Sequence, residues 1–254
     1  MSKKYIIANW KMNLNLAESV NLAKEFKEKF VDFNEGEVAV CPSTLALSEV
    51  AKALKGSKIK FGAQNVFWED KGMYTGEISA DMLAEVGCQY VILGHSDRRK
   101  YLFENYEMIH KKVRAVVETE KLTPIVCIGE TMEEKKSDKR DFVLVEQLQQ
   151  ALSGIDVFGN QKIIVAYEPV WALGTGTAIE PSEAEYAHKI IKLALNDMFS
   201  MRVVVKNFSV IYGGSINSKN VKSFANLEGM DGLLVGGASL KADEFYKVAK
   251  EITK

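Results

Sequence analysis

The chain has 254 residues, 47% of them apolar and 26% charged, and 33 basic residues nearly balance 34 acidic ones for a net charge of −1. Such a chain can bury a large core, and its near-neutrality argues against nucleic acid or an anionic membrane as the main partner, so an anionic substrate has to be held by local groups. The apolar run near the N-terminus is too short for a signal peptide or a membrane span. Cys41, Cys88 and Cys127 read as buried reduced thiols, with no Cys/His spacing for a metal, and the expectation is a cytoplasmic protein without metal or cofactor.

In chain order, short apolar runs rich in Val and Ile recur at Tyr5–Ala8, Val38–Cys41, Ile59–Ala63, Tyr90–Leu93, Ile125–Ile128, Ile163–Tyr167, Ser209–Tyr212 and Gly232–Val235. Each is too short for a helix and almost continuously apolar, as a strand covered on both faces is. Helical patterns fall between them. Val20, Ala23, Phe26 and Phe30 recur at helical spacing, and Val113, Val116 and Val117 make another face. The charged run Lys135 to Arg140 reads as a solvated loop and helix start. Ser182 to Glu185 has capping-box spacing ahead of an apolar face of Tyr186, Ile190, Leu193 and Leu195. Asn217 is placed to cap a helix after the seventh run, and Phe245, Val248, Ala249 and Ile252 form the last face. Eight alternating units predict an α/β fold, a closed (β/α)8 barrel formed by residues 1–254 as one domain. An open doubly wound sheet is the alternative, but its Gly-rich turn is missing where the chain reads Asn9-Trp10-Lys11.

In such a barrel, ligands bind where the strands end. That rule collects Asn9 and Lys11, then His95, Ser96 and Asp97, then Glu168, then Gly213, Gly214 and Ser215, then Gly236 and Gly237. Glycine-rich turns at helix starts bind phosphate without arginine. A lone glutamate without a carboxylate partner suits a base rather than a glycosidase pair. A histidine beside a lysine can polarise a carbonyl and stabilise an enediolate. The set predicts proton abstraction next to the carbonyl of a small phosphorylated sugar.

At these residues the chain resembles the triosephosphate isomerase family. The likeness is carried by Asn9-Trp10-Lys11-Met12-Asn13, Gly94-His95-Ser96-Asp97-Arg98-Arg99, Val126 to Thr131, Tyr167 to Gly176, Tyr212 to Ser215 and Leu234 to Leu240, in order from end to end. The resemblance implies a TIM barrel that interconverts dihydroxyacetone phosphate and D-glyceraldehyde 3-phosphate. It implies Glu168 as general base, neutral His95 as the group that exchanges protons with the two substrate oxygens, and Lys11 as the cation at the phosphate and the enediolate. Asn9 is implied as a hydrogen-bond donor in the pocket, the amides of Gly174, Ser215, Gly236 and Gly237 as the phosphate cradle, and Ser96 and Asp97 as supporting residues. Val170 to Thr177 is implied as a lid over the site, with Glu130 the partner of Trp171 when it stands open. The long connection from Gln64 to Glu77 carries Phe67, Trp68, Met73 and Tyr74, an apolar set that needs cover. In the family this loop enters a second subunit, with Thr75 near its site, which implies a homodimer.

The match departs from the family in places. Asp97 stands where the family usually has Glu. It either substitutes with small local shifts or, being shorter, loses its direct contact with Lys11. The lid continues as Thr177-Ala178-Ile179 rather than Lys-Thr-Ala, and Leu102-Phe103-Glu104 replaces Phe-Gly-Glu, moving bulk by one position. Two other readings stand: a different phosphosugar isomerase on the same barrel, and a non-catalytic phosphometabolite-binding barrel.

Overall fold

The computed structural model describes residues 4–174 and 178–254; the end of the expected lid, Thr175 to Thr177, lies outside the described residues. Eight parallel strands close in sequence order: β1 (Lys4–Asn9), β2 (Gly36–Cys41), β3 (Lys60–Ala63), β4 (Tyr90–Leu93), β5 (Thr123–Ile128), β6 (Ile163–Tyr167), β7 (Phe208–Tyr212) and β8 (Gly232–Val235), with β8 pairing back to β1. The helices are α1 (Leu16–Lys29), α2 (Leu47–Leu54), α3 (Ala80–Val86), α4 (Ser96–Tyr101), α5 (Tyr106–Glu118), α6 (Met132–Lys136), α7 (Arg140–Leu152), α8 (Pro181–Met198), α9 (Met201–Asn207) and α10 (Ala242–Ile252). The expected barrel is present.

The unbroken apolar character of the strands has a direct cause. Successive side chains alternate between two dry environments. Ile7, Ala39, Ile92, Ile125, Ile164, Ile211 and Leu234 fill the barrel interior, while their neighbours Ile6, Val38, Val91, Val126, Val165, Val210 and Leu233 pack under the helices. The helical faces predicted at 113–117 and 245–252 are buried there as well.

Two helix expectations need correction. Ser182 does not cap α8: Glu180 is the N-cap and Pro181 occupies the first turn, where its missing N–H costs nothing. The helix also turns its alanines to the barrel. Ala184, Ala187, Ile191, Ala194 and Leu195 are buried, whereas Tyr186 and Leu193 point to solvent. After β7 the chain forms only a short 3-10 turn, Val221–Phe224, and Asn217 accepts from the Lys219 N–H ahead of it.

Gly129 shows what holds the mouth of the barrel together. A Cβ there would sit 1.7 Å from the carbonyl oxygen of Glu168, so only glycine lets the end of β5 lie against the end of β6. Gln147, a lone amide on the buried face of α7, fixes the same residue by accepting from its N–H at 2.8 Å and donating to its carbonyl at 3.1 Å.

Candidate active site

Lys11 follows β1 in a left-handed conformation, φ 50°, which is costly for a residue with a Cβ, about 1–2 kcal/mol. Two side chains hold it there. Asn9 Oδ1 accepts the Lys11 N–H at 3.1 Å, and Gln64 Nε2 donates to the Lys11 carbonyl and to the Cys41 carbonyl, each at 2.9 Å. The Lys11 ammonium reaches Asp97 Oδ2 at 2.9 Å. Of the two readings of Asp97, the shorter carboxylate keeping its direct contact with Lys11 is the one the geometry matches.

His95 caps the N-terminus of α4 through its ring. The Asp97 N–H donates to Nδ1 at 3.0 Å, so Nδ1 carries a lone pair and the ring proton belongs on Nε2. Nε2 lies 2.9 Å from Glu168 Oε1, and the Ser96 N–H donates to Glu168 Oε2 at 3.0 Å. Both side chains are almost fully buried. Burial opposes the charge on Glu168, but the His95 contact, the Ser96 N–H and the Lys11 ammonium outweigh it and hold the carboxyl below the ordinary range. Burial likewise disfavours a charged His95; the Glu168 and Asp97 carboxylates more than offset this and raise its pKa. The Asp97 N–H aimed at Nδ1 and the start of a helix at the ring both act against a second proton. The Asp97 N–H at Nδ1 leaves Nε2 as the ring's donor to the Glu168 carboxylate.

Glu168 continues β6 into the barrel mouth, and Gly213 clears room for it: a Cβ there would meet Glu168 Cγ at 2.9 Å. Asn9, Lys11, His95, Glu168, Gly174, Ser215, Gly236 and Gly237 line one cleft of about 570 Å³. The Lys11 stem passes 3.8 Å from where a Cβ of Gly236 would lie. Asp97 lines an adjoining cleft of about 600 Å³ that shares Asn9, Lys11 and His95 and is walled by Met12, Gln64, Tyr101 and Leu102. Ser96 meets the site through its backbone N–H. Thr75 sits exposed at the tip of its loop and lines neither cleft.

Sequence reasoning missed several supports. Gln64 and Gln147 are described above. Arg99 Nε donates to the Gly94 carbonyl at 2.7 Å and its terminal nitrogen to the Cys127 carbonyl at 3.0 Å, tying β4 to β5 just below His95. Glu104 accepts the Gly94 N–H at 3.1 Å and pairs with Arg98 and with Lys112, whose ammonium is 2.7 Å away and also donates to Asn65. A polar residue inside an apolar helix face, as at Gln147 and Lys112, is the signal that was there to find.

A family model described as Triosephosphate isomerase matches residues 4–252. Proteins named triosephosphate isomerase from Dictyoglomus turgidum, Dictyoglomus thermophilum and Alkaliphilus oremlandii are similar to the chain. The first is 43% identical over 250 residues, 98% of this chain and all of the relative. The second is 42% identical over 250 residues with the same coverage, and the third 42% over 248 residues, 98% of this chain and 99% of the relative.

Proposed function

The chain belongs to the triosephosphate isomerase family and is an isomerase that interconverts dihydroxyacetone phosphate and D-glyceraldehyde 3-phosphate, and from that premise we propose which of its residues carry the reaction. Glu168 takes the proton from the carbon beside the substrate carbonyl. His95, neutral and protonated on Nε2, gives that proton to the carbonyl oxygen as the enediolate forms and takes one back from the neighbouring hydroxyl, so the negative charge passes from one oxygen to the other. Lys11 offsets the charge that develops there and on the phosphate, which the turns at Ser215, Gly236 and Gly237 and the amide of Gly174 hold. Glu168 then returns the proton to the neighbouring carbon. The observation that carries this reading is the single cleft in which the Glu168 carboxylate lies 2.9 Å from His95 Nε2, with Lys11 on the same wall. Segment 170–177 acts as the lid that excludes water around these charges.

Glu168→Asp withdraws the base by one methylene, and its turnover with glyceraldehyde 3-phosphate is expected to fall by about 100- to 10,000-fold with an unchanged circular dichroism spectrum. Near-normal turnover in Glu168→Ala would sink the assignment.

We read the chain as one domain, cytoplasmic and a homodimer. Support for the dimer lies in the 64–77 loop. Phe67 stacks on Trp68 with ring centroids 4.0 Å apart and meets Tyr74 at a tilt, 4.6 Å away, while Met73 is fully exposed. Exposed Met12, Tyr101 and Leu102 border the cleft behind Lys11 and His95. A second copy of the loop supplies matching apolar cover. Analytical ultracentrifugation at micromolar concentration should return twice the chain mass; a fully active monomer there contradicts it.

A further inference from the structure

Lys135, part of a run read from sequence as solvated charge, has a different setting in α6. Its ammonium lies 3.6 Å from the centroid of the Trp171 ring and 2.7 Å from Glu183 Oε1. The Lys135 and Glu183 side chains are only 28% and 31% exposed, so water screens these contacts less than at an open surface. The indole Nε1 of Trp171 donates to Glu130 Oε1 at 2.8 Å. Trp171 is thus held at its nitrogen by a residue just after β5 and across its face by Lys135. Glu183 lies in the first turn of α8, beyond the far end of segment 170–177. Lys135 therefore links Trp171 of the lid to the helix that follows it.

Trp171 follows Glu168 by three residues, through Pro169, whose ring fixes one of the intervening torsions. Both oxygens of Glu168 are occupied, one by His95 Nε2 and one by the Ser96 N–H. Turning the carboxylate away from this arrangement costs these two hydrogen bonds. Three residues and one fixed torsion thus join the ring that Lys135 covers to the carboxylate that rests on Ser96 and His95.

We infer that Lys135 is a positioning residue of the lid: its ammonium, clamped to Glu183 and laid on Trp171, stabilises the resting arrangement and sets how readily Glu168 is released to substrate. The inference rests on the reading of 170–177 as a lid.

The probe is 2-phosphoglycolate, whose phosphate and carboxylate mimic the charges of a phosphorylated enediolate and so favour the engaged arrangement. Lys135→Met keeps the aliphatic stem and deletes the charge. Its dissociation constant for the probe is expected to fall by about threefold to tenfold, because a contact made only in the resting state has been removed. Lys135→Arg should stay within about twofold of the unmodified protein, and Glu183→Gln should shift in the same direction as Lys135→Met but less. An unchanged or raised dissociation constant in a folded Lys135→Met overturns the inference, and Glu183→Gln decides it if that variant does not fold. The lid reading has its own readout. In 5-fluorotryptophan protein, the 19F resonance of Trp171, assigned through Trp171→Phe, should move when the probe binds. A static resonance overturns the lid; a moving resonance with unchanged affinities overturns only the role of Lys135.

Discussion

Asp97 reaches the Lys11 ammonium because of where the lysine starts, not because of its own length. The left-handed backbone at Lys11, fixed by Asn9 and Gln64, sends the stem past Gly236 and toward α4. The pair is partly exposed, with side-chain accessibilities of 35% and 47%, so its direct contribution to stability is about 1 kcal/mol or less. Its value lies in aiming the ammonium. Since the contact is already made, Asp97→Glu is expected to leave turnover with glyceraldehyde 3-phosphate within about threefold, a small part of the roughly 100-fold that a misplacement of about 1 Å can cost. A tenfold gain in the same assay would show that the aspartate does limit the enzyme. The residues of the cleft were legible from sequence because each is a chemically distinctive group at a strand end. Gln64 and Arg99 were not, because their partners are backbone carbonyls that any sequence possesses.

Between α4 and α5 the chain has to reverse so that Glu104 can turn inward to the Gly94 N–H, Arg98 and Lys112. The reversal falls on Phe103, at φ 54°, where the family has glycine and where an L side chain is strained. The phenyl ring is 85% exposed and gains little from packing within the chain. Phe103→Gly removes a strain of about 1–2 kcal/mol and adds about 0.5–1 kcal/mol of unfolded-state entropy, so urea unfolding should show a net gain of up to ~1.5 kcal/mol. A loss instead would mean that the ring is buried against a second subunit. Helix α8 teaches the complementary lesson. Of its large apolar residues that suggest one face, Leu195 is buried and Ile190 half-buried, but Tyr186 and Leu193 stay out while Ala184, Ala187 and Ala194 turn inward, because close approach of helix to sheet favours small side chains there. Hydrophobic size along one helix does not reveal the spacing of the layer beneath it.

Across the whole molecule, helices and sheet are pressed together tightly enough to trap a neutral histidine. His188 of α8 is fully buried with Tyr167 edge-on to its ring at 6.3 Å, and burial, helped by the Lys192 and Lys4 charges, lowers its pKa to about 3. An unfolded histidine titrates near 6.5, so between about pH 6.5 and 3 the unfolded chain binds a proton that the native one refuses. This group's contribution is complete above pH 6.5 and declines as pH falls, by about 2 kcal/mol at pH 5. His95, with a raised pKa, acts with the opposite sign, and the lowered carboxyls of Glu104 and Glu168 matter only at lower pH. The comparison with His188→Leu isolates the effect: urea titrations at pH 7.5 and 5.0 should show a smaller acid loss in the variant. Equal losses would show that the ring is accessible to protons in the native state.

The sequence alone determined the eight strands, their parallel closure and the groups at their ends, because continuous burial on both faces and a chemically marked rim leave their imprint residue by residue. The tertiary structure decided the rest: which face of α8 is inward, that Asp97 still reaches Lys11, that Lys135 lies on a tryptophan instead of in water, and that Glu168 rests on Ser96 and His95. Those outcomes depend on distances between elements remote along the chain, and such distances are set by how the packed layers fit together.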